Sequence, residues 1–335
     1  MALYEEHPFA QYIRILGKGR RGSRGLTQDE AYTAMRMIMA DEIEPMQLGA
    51  FLMLMRVKEE TPEELAGTIQ AVRDSLKIPD GLVTPDLDWS SYAGKRRQLP
   101  WFLLSALLLA DRGYKVFMHG SEGHTEGRIY TREVLQQLGV PISHSFDEAS
   151  QHLRQNNFSY LPLSHLSPML QEIIELRPML GLRSPVHTIA RMINPLNAPY
   201  LIQGIFHPTY RDTHQEAAVL LNMPHMAVFK GEGGEIERNP DTDCLVKSVH
   251  DGVLSEENWP ARFATRHLKD ETMEVSRMIR VWRGDEDDEY ARETIITTTA
   301  IALALMQKAA TQEDAVQQAT ALWEQRSRER LSDVA

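Results

Sequence analysis

The residues with the greatest capacity for chemistry lie in four short stretches rich in glycine or in cations. Lys95-Arg96-Arg97 precede Pro100 and an apolar, helix-like run, and no acid occurs anywhere between Trp89 and Ala110. Free N–H groups and the dipole at a helix N-terminus favour anions, so three cations there read as a phosphate site or as a solvated loop. His119–Gly127 follows a strand-like run; its three glycines admit a ligand close to the backbone, and Ser121, His124 and Thr125 carry hydrogen-bond donors. That stretch is read as a binding loop rather than a plain strand-to-helix turn. Phe229-Lys230-Gly231-Glu232-Gly233-Gly234-Glu235 is a second strand followed by a glycine-rich loop. It lacks the Gly-Lys-Ser/Thr ending of a nucleotide P-loop, although Lys230 beside exposed amides can hold one phosphate. Gly17-Lys18-Gly19-Arg20-Arg21-Gly22 spells G-x-G-x-x-G after a strand-like Tyr12–Leu16. A dinucleotide site is rejected there, because the third glycine does not open a helix and no βαβ unit follows. A flexible turn and a phosphate-contact loop both remain.

Other chemistries find no support. The twelve histidines show no zinc-binding spacing, no G-x-S-x-G elbow is present, and the single cysteine, Cys244, reads as structural. One cysteine also excludes a disulfide framework. The longest apolar run, Trp101–Ala110, is far short of the ~20 residues of a membrane span, so no membrane partner and a cytoplasmic setting are expected. The formal charge of −11 argues at first against a polyanion partner. The charge is uneven, however: residues 1–140 hold 17 Lys+Arg against 19 Asp+Glu, and the remainder 19 against 28. His7–Gln28 carries Arg14, Lys18, Arg20, Arg21 and Arg24 with no acid. Screening over ~8 Å makes a polyanion sensitive to such a patch rather than to the distant total.

The elements that must position these stretches fall into two groups. Thr27–Ala40, opened by a Thr27/Glu30 capping box, Pro45–Met55, and a helix from the Thr61/Glu64 box to about Leu76 are short helices with short connections. Residues 1–80 are therefore expected to form a small helical domain. From Pro79-Asp80-Gly81 onward, strands (Tyr114–Met118, Leu201–Phe206, Met226–Phe229) alternate with helices (Pro100–Ala110, Arg132–Leu138, His214–Leu221, Glu293–Lys308, Glu313–Glu324). That alternation predicts an α/β domain over 81–335 with a mainly parallel sheet flanked by helices. Ligands in such a domain bind at loops leaving the carboxyl ends of strands.

Taken together, the segments resemble the anthranilate phosphoribosyltransferase family, glycosyltransferase family 3, over nearly the whole chain. Leu26–Ala31, Gln47–Leu52 and Glu60–Gly67 look like that family's N-terminal helical domain almost residue for residue. Lys115-Val116 with His119-Gly120, Leu138-Gly139-Val140, and Leu180-Gly181-Leu182-Arg183 with Asn194-Pro195 match segments of its α/β domain. The resemblance implies a phosphoribosyltransferase-like fold that dimerises through the helical domain. The departures concern chemistry. Where the enzymes wrap pyrophosphate in Gly-Thr-Gly-Gly-Asp-Gly, this chain reads Tyr92-Ala93-Gly94-Lys95-Arg96-Arg97-Gln98. Their Asn-Arg after His-Gly appears as Ser121-Glu122, and their magnesium-binding Asp-Glu pair falls on Ile236-Glu237.

This pattern resembles the YbiB-like branch of the family. It implies a non-catalytic homodimer that binds DNA or RNA largely independently of sequence and needs no cofactor. The candidate phosphate contacts are Lys95, Arg96, Arg97, Arg128, Arg183, Arg191 and Lys230, with Lys18, Arg20, Arg21 and Arg24 as an arm-like second set. His119 and Arg177, which match substrate-contacting positions of the enzymes, join them as anion-binding residues. The alternative is a phosphoribosyltransferase using phosphoribosyl pyrophosphate and magnesium with an altered acceptor.

Overall fold

The computed structural model describes residues 5–331 apart from Arg20 and His124. In chain order its elements are α1 Ala10–Gly17, α2 Gln28–Met39, α3 Pro45–Lys58, α4 Pro62–Ser75, β1 Leu87–Ser91, α5 Phe102–Asp111, β2 Val116–Gly120, α6 Thr131–Gln137, α7 Phe146–Asn156 and β3 Phe158–Pro162. The short helices α8 Leu163–Leu166, α9 Pro168–Glu175, α10 Arg177–Leu180 and α11 Val186–Ile189 follow. Then come β4 Tyr200–Ile205, α12 Tyr210–Leu220, β5 His225–Lys230, β6 Cys244–His250, β7 Val253–Trp259, α13 Ser276–Arg283, α14 Glu289–Leu305 and α15 Gln312–Glu324.

Local chemistry sets the bundle. Thr27 and Glu30, and Thr61 and Glu64, form reciprocal capping boxes at the starts of α2 and α4. Glu64 does more than cap. It is 1% exposed, and while Oε2 accepts the Thr61 N–H at 2.9 Å, Oε1 accepts the Leu26 N–H at 2.8 Å, tying α4 to the turn before α2. A Cβ on Gly67 would lie 2.1 Å from the Gln28 carbonyl oxygen, so only glycine lets α4 rest on α2 backbone to backbone. The expected strand at Tyr12–Leu16 is instead helix α1. Phe9, Tyr12 and Leu16 recur at helical spacing and are buried, with the Phe9 and Phe51 rings 5.3 Å apart edge to face. Tertiary burial outweighed a segment whose β-branched residues had read as a strand.

The sheet has the order β3-β2-β1-β4-β5-β6-β7; β1 to β5 run parallel, and the β6–β7 hairpin adds two antiparallel strands at one edge. Its two faces alternate as a two-sided sheet requires. Val116, Met118, Phe158 and Tyr160 join a core with α5, α14 and α15, whereas Phe117, Leu161, Leu201 and Val228 join a second core shared with α1 to α4 and α8 to α11. The helical bundle is thus packed directly on one sheet face. Arg73 of α4 reinforces this by donating to the carbonyl oxygens of Ile193 at 2.5 Å and Met192 at 3.2 Å. Helix α5 is apolar on every side because it is covered by the sheet and α14 together. No helix among the described residues is long and apolar enough to cross a membrane.

Glu64→Ala is expected to strand the buried amides of Leu26 and Thr61 and to lower stability by ~2–4 kcal/mol, measurable by urea denaturation.

Candidate functional site

The loops leaving β1, β2 and β5 meet at the carboxyl ends of the parallel strands. The β5 loop folds back on itself tightly. A Cβ on Gly231 would lie 1.6 Å, and on Gly204 2.4 Å, from the Glu235 carbonyl oxygen, so glycine is required at both. This turn delivers the Glu235 side chain to the β1 loop, where Oε1 accepts the N–H groups of Ala93 at 2.7 Å and Gly94 at 2.6 Å. Two residues later Glu237, fully buried, faces Lys95 at 2.5 Å from Oε1 to Nζ, and its Oε2 accepts the Phe102 N–H in the first turn of α5 at 3.0 Å. Burial pushes the Glu237 carboxyl up, and the Lys95 ammonium and Phe102 amide oppose that rise.

These contacts correct the sequence reading at two positions. Lys95 is 3% exposed and ion-paired inside the protein, so it does not present its charge to solvent. His119 is fully buried in β2, with Nδ1 2.6 Å from the Tyr92 hydroxyl and Nε2 3.2 Å from Asp88 Oδ1. Both side chains support the loops from beneath. The residues also do not fit a magnesium ion: Ile236 is an apolar core residue, and Glu237 already has its cation. Among the described residues no group of three or more His, Cys, Asp or Glu could hold a metal.

Four of the expected arginines do come together. Arg183 is pulled down to about 10 by burial and by the charges of Arg191, Arg128 and Arg177 around it. Arg177 and Arg183 both donate to the Thr125 hydroxyl, the latter at 3.4 Å. Arg128 donates to the carbonyl oxygens of Ala93 at 3.0 Å and Gly94 at 2.9 Å, and Arg191 to that of His187 at 2.5 Å. Arg128, Arg183 and Arg191 therefore donate to carbonyl and hydroxyl oxygens, while the Glu235 carboxylate favours the charge of the buried Arg191. Like charges gathered in a partly buried place disfavour one another, and an incoming anion relieves that repulsion.

The remaining candidates are dispersed. Arg96 and Arg97 are exposed on the β1 loop, and Lys230 is exposed at the end of β5. Lys230 borders a separate recess of about 410 Å³ with Arg211, Arg266 and Lys269, where Glu232, Asp241 and Asp243 offset the charge. Lys18 and Arg21 are exposed beyond α1, and Arg20 lies outside the described residues. Arg24 is occupied by Glu30 through bonds of 2.5 and 2.6 Å, which hold the Glu30 carboxyl down at about 2. Sequence reasoning missed the role of Glu235, one of the carboxylates of the glycine-rich loop after β5. It also missed a cavity of about 120 Å³ between the bundle and the α/β domain, lined by Arg56, Glu60, Arg183, Arg191, Phe206, Tyr210 and His214. No local signal marks that cavity, because Arg56 and Glu60 lie more than a hundred residues before the rest of its walls.

Two outcomes test this geometry. Lys95→Met should cost ~3–5 kcal/mol by leaving Glu237 buried and unpaired, and adding Glu237→Gln should recover most of it in chemical denaturation. A loss below ~1 kcal/mol for the single variant would refute the internal pair. His214 is buried, and that burial together with Arg191 pushes its imidazole down to about 3. The unfolded chain then binds a proton that the folded one refuses, so this stability is complete above pH ~6.5 and is lost as pH falls toward 3. His214→Gln should flatten that acid limb of a stability–pH profile by up to ~4–5 kcal/mol.

Comparison with known proteins places the architecture. Residues 10–76 match the helical bundle domain of the glycosyl transferase family, and residues 102–325 match its a/b domain. An uncharacterized protein of Aquifex aeolicus is 31% identical over 266 residues, covering 76% of this chain and 80% of that protein. The anthranilate phosphoribosyltransferase of Oleidesulfovibrio alaskensis is 27% identical over 77% of this chain and 81% of its own. Among solved structures, the anthranilate phosphoribosyltransferase of Thermus thermophilus superposes with a TM-score of 0.79 at 21% identity, covering 95% of this chain and 94% of that one. The Saccharomyces cerevisiae enzyme in complex with PRPP and Mg gives 0.76 at 15% identity over 94% and 93%.

Proposed function

The chain belongs to the glycosyl transferase family, in its anthranilate phosphoribosyltransferase-like group, and within that group we propose that it is a non-catalytic nucleic-acid-binding protein of the YbiB-like kind. One observation carries the reading: both halves of a pyrophosphate–metal site are filled from within. The Glu235 carboxylate occupies the Ala93 and Gly94 amides, where the enzymes' glycine-rich loop would meet pyrophosphate, and the Lys95 ammonium occupies Glu237, where magnesium would sit. A donor diphosphate would have to displace a buried carboxylate, and its metal a buried lysine. The cations that support contact with an outside anion are the half-buried Arg128 and Arg183, backed by Arg177 and the buried Arg191, with exposed Arg96 and Arg97 on the neighbouring loop.

These groups are suited to backbone phosphates. Arginine pairs with phosphate through a planar fork of donors, and each such contact releases counterions from the polyanion. Binding of this type is largely independent of sequence. The bundle surface supports assembly as a homodimer, which would present two clusters. Met46 and Val57 on α3 are 84% and 78% exposed, and Met179 on α10 is 82% exposed.

Titration of labelled single- and double-stranded oligonucleotides is expected to give affinity that falls about a hundredfold between 50 and 200 mM salt. Arg183→Ala combined with Arg128→Ala should weaken binding to all sequences and reduce the log–log salt slope by about 2. Incubation with phosphoribosyl pyrophosphate, magnesium and anthranilate should release no pyrophosphate. Turnover there, or the absence of salt-dependent binding at ~50 mM, would overturn the proposal in favour of the transferase reading.

A further inference from the structure

Two histidines at the amino end of the sheet, away from the arginine cluster, share a contact that phosphate binding does not use. His225 opens β5 and His250 closes β6, and the antiparallel register sets them directly opposite each other. Their Nδ1 atoms are 3.1 Å apart. The chain turns immediately beyond His250. Asp251 and Gly252, with φ of 49° and 80°, make the two-residue turn of the β6–β7 hairpin, and the Asp251 N–H donates to the Pro224 carbonyl at 2.7 Å. The histidine pair therefore stands where the hairpin tip is fastened to the rest of the sheet. Both rings are half-buried and held in place. Tyr200 of β4 stacks on His225, with centroids 4.8 Å apart and 19° between the planes, and the Gln307 amide just beyond α14 lies 3.4 Å from His250 Nδ1.

With one proton between the two nitrogens, the contact is a hydrogen bond. When both rings are charged, two N–H donors and two positive charges face each other with no acceptor between them. The surroundings oppose that second proton. Asp251, exposed in the turn, favours it, but burial and His225 outweigh Asp251 and hold the His250 imidazole below its ordinary range. Lys308, next after Gln307, lies over the Tyr114 ring. His144 and His165 make a similar contact at 3.3 Å, but both are exposed, so water solvates an added charge there. We propose that the His225–His250 contact is an acid-sensitive latch that fastens the hairpin tip at neutral pH and releases it when both rings are charged. The open tip takes up a proton that the closed one refuses, so the latch is complete above pH ~6.5 and is lost as pH falls below it. What it releases is bounded. Gln215 of α12 donates to the carbonyl oxygens of Ser248 at 2.7 Å and Ser255 at 2.9 Å, one on each hairpin strand, and clamps both beyond the latch. The freed segment is Val249–Leu254. Val253 and Leu254 are already 67% and 49% exposed, so opening there gives up little apolar burial, and it bares the start of β5 as an unpaired edge.

Amide hydrogen exchange on the full chain between pH ~7.5 and ~5, with each rate divided by its intrinsic value at that pH, tests the latch. The Val249 and Asp251 amides are expected to be protected at neutral pH. Below ~6.5 their opening should increase by up to about tenfold per pH unit, the limit for one extra proton in the open state. Amides of β1 to β4 report global unfolding, whose acid dependence includes that of His214, and serve as the internal reference. In His250→Gln and in His225→Gln no second charge can form. Whatever protection these variants show at neutral pH, the Val249 and Asp251 profiles should be flat, while the pH slope of the β1 to β4 amides is unchanged. Histidine nitrogen NMR should place the His250 titration below its ordinary value and move it up in His225→Gln. A tip slope that survives in both variants would overturn the latch. So would a wild-type tip that opens only together with β1 to β4, or a His250 that titrates above ~6.5.

Discussion

The interaction on which the rest of the site depends is the hold of the β1 loop on two carboxylates of the β5 loop. Glu235 takes two backbone amides and Glu237 takes Lys95 and the first turn of α5, all within one buried seam. A buried carboxylate is costly unless paired or hydrogen-bonded, so removing any one of these partners would leave a buried charge uncompensated. The seam therefore closes the β1 loop onto β5 without a ligand. It also explains why glycine is needed at 204 and 231: any side chain there would push the Glu235 backbone away from the strands.

Closure of that seam redistributes charge. Lys95, the first of three consecutive cations, turns inward and is neutralised, while Arg96 and Arg97 stay in solvent. Arg128 closes over the same loop from outside by donating to the carbonyl oxygens of Ala93 and Gly94. The β1 loop thus spends its amides on Glu235 and its carbonyls on Arg128, and the arginines gather beside it with Glu235 acting on Arg191 from below. A chain of net charge −11 keeps a local cationic site in this way, and screening over ~8 Å lets that site act apart from the acidic remainder.

The cavity beside the cluster has a different origin. It exists because the bundle packs on one face of the sheet, bringing Arg56 and Glu60 from the end of α3 and the turn after it against Tyr210 and His214 of α12. Neither domain makes it alone. Its polar floor is buried by that packing, and burial together with the charge of Arg191 keeps His214 neutral.

Capping boxes, helical periodicity and the alternation of strands with helices are local patterns, and they made the bundle, the α/β class and the carboxyl-end loops legible in the amino-acid sequence. The central strand β1 was not, because Leu-Asp-Trp-Ser-Ser lacks an apolar run; His119 meets Asp88 and Thr131 meets Ser91 only in the folded chain. Nor was the hairpin edge strand β7, which is exposed along nearly its whole length. At the site, the resemblance to the enzymes' motifs set only the expectation that cations stand where a pyrophosphate loop would be and an isoleucine where a metal ligand would be. Which cations face solvent was decided only by the tertiary structure. Burial is set by residues distant in the chain: Glu237 lies 142 positions from Lys95, and Arg128, which acts on Arg183, comes from a different loop of the α/β domain. Charge type is a property of one residue, whereas its desolvation and its partner are properties of the packed chain.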